Sequence, residues 1–185
     1  MIRRLCVIGA LALGMLATSV PTAHAATVSP SAWAPKFCTA IIDYQATISQ
    51  ESDSMSAALD NVTDLATARD QIASFLSHMV DAANTAKREV KAAGVPSSPN
   101  GAKITGLFVS GLGASAKVFA KGETQAEKLP TTSAEQFKIK GKQLGVDLSD
   151  AGEELSKSFS GIGKLDKGKK LEQAVKATPE CEPLT

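Results

Sequence analysis

Ala34-Pro35-Lys36-Phe37-Cys38-Thr39-Ala40-Ile41-Ile42-Asp43-Tyr44 opens an apolar helical stripe and carries a cysteine whose one plausible partner is Cys181, near the far end of the chain. The third cysteine, Cys6, lies in the N-terminal apolar run Leu5–Leu16, which follows Met1-Ile2-Arg3-Arg4 and precedes Pro21-Thr22-Ala23-His24-Ala25. A basic start, a short apolar stretch and an Ala-x-Ala site read as an export signal over residues 1–25, with cleavage after Ala25. The run is too short to span a bilayer. Cys6 lies near its beginning, whereas a lipid-modified cysteine would follow its end. Arg3-Arg4 invites a twin-arginine reading that its flanking residues fit poorly.

Export places Cys38 and Cys181 in an oxidising compartment, where two cysteines permit one intramolecular pairing. The alternatives, two free thiols or a bridge between chains, stay open on sequence alone. A bridge between these positions closes nearly the whole mature chain into one loop, and restricts the unfolded chain by roughly 5 kcal/mol in the loop-entropy view.

Outward from this stretch the chain is helical. Residues 26–34 read as an extended leader with Trp33 tucked against the fold, and Pro35 suits the first turn of a helix. Phe37, Ile41, Tyr44, Ile48, Met55 and Leu59 form one stripe, giving a first helix over Pro35 to Leu59. Asp60-Asn61-Val62-Thr63-Asp64 is a turn with capping residues. A second helix carries Leu65, Ile72, Leu76, Met79, Ala83, Ala86 and Val90 and ends at Gly94. The loop Gly94–Gly101 contains Pro96 and Pro99 and divides the chain into two hairpins.

A third helix is predicted over Ala102 to Leu129, weakened by Gly106, Gly111, Gly113 and Gly122. Pro130 stops it. Ser133 and Gln136 spell a capping box for a fourth helix carrying Phe137, Leu144, Leu148, Leu155, Phe159 and Ile162. A short terminal helix from Asp166 to Ala177 precedes Cys181. No strand-like alternation of useful length occurs. The fold class is therefore all-α, and short connections predict an up-down four-helix bundle in a single domain over residues 35–185, with an additional short C-terminal helix and its ends joined by the disulfide.

An export signal, Trp33 ahead of Phe37-Cys38, Ala- and Leu-rich amphipathic helices and Ala177-Thr178-Pro179-Glu180-Cys181 together resemble the small secreted helical proteins of actinobacteria. The resemblance covers the mature chain through short motifs. It implies a location in the medium or cell envelope and a disulfide-closed bundle, and no activity.

Composition narrows the function classes. Without residues 1–25 of the 185, Lys+Arg falls from 20 to 18 against 19 Asp+Glu, a net charge of −1. Nucleic-acid binding needs a field of excess cations, so that class is set aside. The mature chain holds one histidine, His78, where a metal site recruits a cluster, and no Glu-x-x-His pairs of the di-iron kind occur. No cofactor is implied. Gly-x-Ser-x-Gly is absent, and Gly106–Gly111 has phosphate-loop glycine spacing without the Lys and Ser or Thr that must follow. Asp147, Asp150, Glu153 and Glu154 read as the solvated face of the fourth helix rather than as an acid-base pair. Asn61-Val62-Thr63 matches a glycosylation acceptor, relevant only where the host glycosylates. An enzyme is thus not expected.

Two features stand above that background. Lys138, Lys140 and Lys142 with Lys164, Lys167, Lys169 and Lys170 form a basic patch if the two segments meet, able to hold an anionic envelope polymer or lipid headgroups; the bland alternative is solubilising surface. Ile104, Phe108, Gly111, Leu112 and Phe119 of the third helix form either an apolar cavity for a lipid-like ligand, a membrane-facing surface, or ordinary core. The expectation is a secreted, non-enzymatic protein that binds an envelope or extracellular partner, with a small apolar ligand carrier or a membrane-interacting protein as alternatives. No transmembrane span is expected in the mature chain, and the oligomeric state is open.

Overall fold

The computed structural model describes residues 27–159, 162–166 and 168–184. The export signal and Lys167 lie outside the described residues. The elements in order are β1 (Thr27–Val28), α1 (Pro30–Asp60), α2 (Leu65–Ala92), β2 (Val95–Pro96), α3 (Gly101–Ala126), α4 (Ala134–Phe159), α5 (Ile162–Leu165), α6 (Lys170–Lys176) and a terminal 3-10 helix (Pro179–Leu184). The fold is mostly helical, and Cys38 and Cys181 form the intramolecular disulfide, with Cα atoms 5.1 Å apart.

Helix α1 begins earlier than Pro35. Ser29 is extended and its Oγ accepts the Ala32 N–H at 3.2 Å, while Pro30 occupies the first turn where its missing donor costs nothing. Ala34, by contrast, has no side-chain acceptor with which to cap a helix starting at Pro35, so that proline sits inside α1. The expected extended leader is accordingly corrected: residues 30–34 are helical, and only Thr27–Val28 form a strand, paired in parallel with Val95–Pro96. The two-residue ladder was invisible as alternation because it is too short to show any.

The other starts follow local chemistry. Asp64 caps α2, its Oδ1 accepting the Thr67 N–H and its Oδ2 the Thr67 hydroxyl at 2.9 and 2.8 Å. Gly94, at φ 89°, ends α2 in the left-handed region that glycine enters without penalty. Gly101 lets α3 start against β2, since a Cβ there would lie 1.9 Å from the Pro96 carbonyl oxygen. Ser133 Oγ accepts the Gln136 N–H at 3.3 Å at the head of α4. Before α6, Asp166 Oδ2 accepts the N–H groups of both Leu171 and Glu172 at 2.9 Å.

Each long helix packs on the next: α1 on α2, α2 on α3, α3 on α4. One core lies at the disulfide end, where Trp33, Phe37 and Cys38 of α1 meet Ala86 and Val90 of α2, Ile104 and Leu112 of α3, Leu171 and Cys181. A second lies toward the opposite end of α2 and α3, built on Leu76, Ala126 and Leu144 with Ile72, Phe75, Phe119 and Leu148 around them. Gly122 permits it: Leu148, Leu76 and Leu144 all come within 3.6 Å of the position a Cβ would take. Around the start of α1, α6 and the terminal 3-10 helix supply the remaining packing. Among the described residues α1 forms no packed seam with α4 toward its end; Met55 and Leu59 line an open apolar groove of about 200 Å³ together with Gly141, Gly145 and Leu148.

Candidate functional site

The disulfide end carries a mainly apolar concavity built by side chains of α1, α3, α5 and α6. Trp33 stacks on Phe37 with ring centroids 4.3 Å apart, and Phe37 meets Phe108 edge-on at 4.6 Å. These spacings come from one turn of α1, which sets residues 33 and 37 on one face, and from α3, which delivers Phe108 beside them. Ile104 of α3, Ile162 and Gly163 of α5, and Leu171 and Val175 of α6 complete the walls of a cavity of about 250 Å³, with Asp166 and Glu172 as its charged lining. The segment bearing α5 is tied to α3 by the Asn100 amide, which donates to the Leu165 carbonyl at 2.6 Å. The disulfide fixes the end of the chain beyond α6 to α1.

Both carboxylates on this lining are engaged. Asp166 caps α6 as described. Glu172 Oε1 accepts from Lys176 Nζ at 2.8 Å, and Lys169 Nζ stands 3.7 Å from its other oxygen. The Lys176 hydrogen bond, followed by the two lysine charges, holds the Glu172 carboxyl below its ordinary range. Trp33 itself is 2 % exposed, and its Nε1 has no hydrogen-bond partner among the described residues.

The residues singled out on α3 are therefore divided. Ile104 and Phe108 line the cavity. Gly111 and Leu112 are buried in the core, and Phe119 packs against the second cluster. Helix α3 packs on α2 and α4, and Ile104 and Leu112 are 2 % and 5 % exposed. No helix among the described residues is long and apolar enough to cross a membrane.

The lysines do not gather. Lys138, Lys140 and Lys142 lie in the first third of α4, whereas Lys164, Lys169 and Lys170 follow its far end. From Lys142 to Phe159 a helix rises about 25 Å, and α6 then packs on α1 at the disulfide end. Lys140 lines instead a groove of about 560 Å³ between the end of α3 and the start of α4, together with Gln125, Lys128, Gln136 and Asp147. There Gln143 and Gln125 donate to the two oxygens of Asp147 at 2.7 and 3.2 Å, and these bonds, that of Gln143 foremost, hold its carboxyl below the usual range. Asp150 and Glu153 are exposed.

His78 faces outward and its Nδ1 lies 2.8 Å from Glu51 Oε2 of α1. The two line a shallow cleft of about 340 Å³ between α1 and α2 with Asp43, Tyr44, Asp81 and Glu89. Burial pushes the Tyr44 phenol up against an opposing hydrogen bond with Ser115. Among the described residues no group of three or more His, Cys, Asp or Glu is placed to hold a metal ion.

The α5–α6 wall of the cavity was not anticipated. The signal available was Leu171 and Val175, four residues apart on one face of a short amphipathic helix, and the cysteine that follows them. No family description, curated protein or solved structure matches this chain.

Proposed function

We propose that this is an exported, non-enzymatic helical protein whose work is to bind, and that its ligand is a small apolar molecule held at the disulfide end. The observation that carries this reading is the cavity of about 250 Å³ walled by Trp33, Phe37, Ile104, Phe108, Leu171 and Val175. An apolar cavity of about 150 Å³ takes a benzene ring, and pockets for drug-sized ligands begin at about 300 Å³, so the space here suits a molecule a little larger than one ring. Three elements distant in sequence converge on it, and a covalent bond fixes the third.

Export is supported by the leader sequence and by a disulfide in a chain with no membrane-crossing helix among its described residues. The likeness to small secreted actinobacterial proteins points the same way. For the overall arrangement we infer an up-down order of four helices with α6 closing one end, supported by the alternation of helix starts and ends in the two cores. The non-enzymatic reading rests on what the reactive groups already do: His78 is paired at the surface, and Asp147 is held by two amides. A protein or envelope polymer as partner has less support, because Lys138, Lys140 and Lys142 stand near the start of α4 and Lys164, Lys169 and Lys170 beyond its far end, and the large exposed apolar side chains among the described residues are Ile139 and Val146, on α4.

Native mass spectrometry of the protein purified from its own culture medium tests the reading. Added mass that is lost on denaturation is the expected result. A native mass equal to the bare chain, together with failure of small aromatic probes to perturb the cavity residues, overturns it.

A further inference from the structure

Helix α4 packs on α3 through Leu144 and Leu148 and leaves its opposite side to solvent. On that side Ile139, Lys142, Val146, Asp150 and Glu153 recur at spacings of three and four, which sets them on one stripe of the helix, and all five are exposed. Ile139 and Val146, 51 % and 44 % exposed, are the large apolar side chains left open to solvent among the described residues. One such residue alone is ordinary surface. Here two share a stripe, and the charges around them are sorted by sign. Lys138 and Lys142 bracket Ile139, whereas Asp150 and Glu153 follow Val146. Among the described residues none of these four charges enters an ion pair within the chain.

We propose that this stripe is the contact through which two copies of the chain associate, their α4 helices running antiparallel about a two-fold axis at Val146. The order of charges selects both the occupant and the direction. In an antiparallel pair, residues equally far from the axis on opposite sides of it come level. Lys142 and Asp150 each lie four residues from Val146, so each stands beside the other across the pair, twice by symmetry. Lys138 and Glu153 lie eight and seven residues out, level to within one residue's rise of about 1.5 Å. Glu135 and Lys157, each eleven residues out, again set an acid beside a base. Val146 meets its own copy on the axis, and Ile139 lies level with the aliphatic stem of Glu153. A parallel pair would put each charge beside its like. The contact shares no residue with the cavity at the disulfide end, so it stands apart from the reading of that cavity. Two helices meeting along one face bury less than the about 1,200 Å² typical of stable complexes, so the dimer is weak and sensitive to salt.

Sedimentation of the mature, disulfide-bonded protein from roughly 10 µM to 1 mM decides the matter, a range that brackets weak association. A monomer that passes to a dimer with rising concentration is expected, with the midpoint moving several-fold upward between about 0.05 and 0.5 M salt. Lys142→Glu sets acid beside acid at both symmetric contacts, and Asp150→Lys sets base beside base. Each is expected to weaken association by about ten-fold or more. Mixed in equal amounts, the two variants are expected to associate as the unaltered protein does, because every such contact in the mixed pair joins an acid to a base. That recovery also shows that both variants are folded, as the exposure of the two positions leads one to expect. A protein that stays monomeric throughout the range overturns the proposal and leaves the stripe as solvated surface or the seat of a different partner. A dimer indifferent to both substitutions overturns it as well, by placing the contact elsewhere. Variants that stay apart when mixed remove the antiparallel register by which the second copy was chosen.

Discussion

Two glycines of α3 with the same sequence signal have opposite structural meanings. At Gly101 a Cβ would sit 1.9 Å from the Pro96 carbonyl oxygen, an atom of the backbone that cannot swing aside. At Gly106 it would meet nothing within 4 Å. Gly101→Ala is therefore expected to destabilise by about 1–3 kcal/mol, the range for overpacking, through displacement of β2 from α3. Gly106→Ala should stabilise by about 0.5–1 kcal/mol, because alanine removes unfolded-state freedom at no steric cost. Chemical denaturation of both variants checks the pair, and equal effects would show that helix propensity rather than packing governs both sites. Asp64 makes a second residue-level case. The Thr67 hydrogen bonds, chiefly that from its backbone N–H, lower the Asp64 pKa from its ordinary value of 3.8. A carboxyl whose folded pKa is depressed contributes stability above the unfolded value and loses it as pH falls through the folded one. Asparagine caps equally well but carries no charge. The difference in melting temperature between the protein and Asp64→Asn is thus expected to be largest near neutral pH and to shrink below about pH 4. A difference that is constant across that window contradicts the assignment.

Among the elements, α4 is the least supported of the long helices. It lies along α3, and its contribution to the second core is Leu144 with Leu148 beside it. Where a packed seam with α1 would stand there is an open groove, and Gly141 and Gly145 face it with no side chain to fill it. Backbone hydrogen exchange should accordingly proceed through openings of α4 that cost less than those of α2 and α3, whose buried faces are engaged by neighbours on both sides. Leu144→Ala, expected to cost about 2–4 kcal/mol, should accelerate exchange in α4 selectively. Protection in α4 equal to that in α2 sinks this ranking. The same helix shows what could be read in advance. The four long helices are legible because amphipathic stripes, Asp64, Ser133 and Gly94 act locally. The extent to which α4 meets α1 is not, since Gly141 and Gly145 look alike in sequence whether they admit a neighbour or leave a gap. Pro35 gave a misleading helix start because Ser29-Pro30, five residues earlier, supplies both the cap and the proline. Half of the cavity, Ile104 and Phe108, was within reach of periodicity. Ile162, Leu171 and Val175 were not, because their position depends on where the disulfide brings the end of the chain.

For the whole molecule the disulfide joins stability to the proposed site. It links positions 143 residues apart, and both cysteines are fully buried. In the loop-entropy view a closure of that span restricts the unfolded chain by roughly 5 kcal/mol, which for a chain of this size corresponds to a melting temperature lower by about 10–20 °C once the bridge is gone. The loss is not confined to the unfolded state. Helix α6 and the terminal 3-10 helix hold to the fold through α1, and α6 places Leu171 and Val175 on the cavity wall. Replacing Cys38 and Cys181 together by alanine should therefore lower the melting temperature and also weaken binding of an apolar probe, since a seven-residue helix has little stability of its own. The double variant measured by calorimetry and by probe titration separates the two consequences. If the melting temperature falls while probe affinity is unchanged, native contacts alone hold α6 in place and the bridge serves stability only. If both fall, the covalent closure is what keeps the cavity walled, and a reducing compartment would leave the protein with an open site.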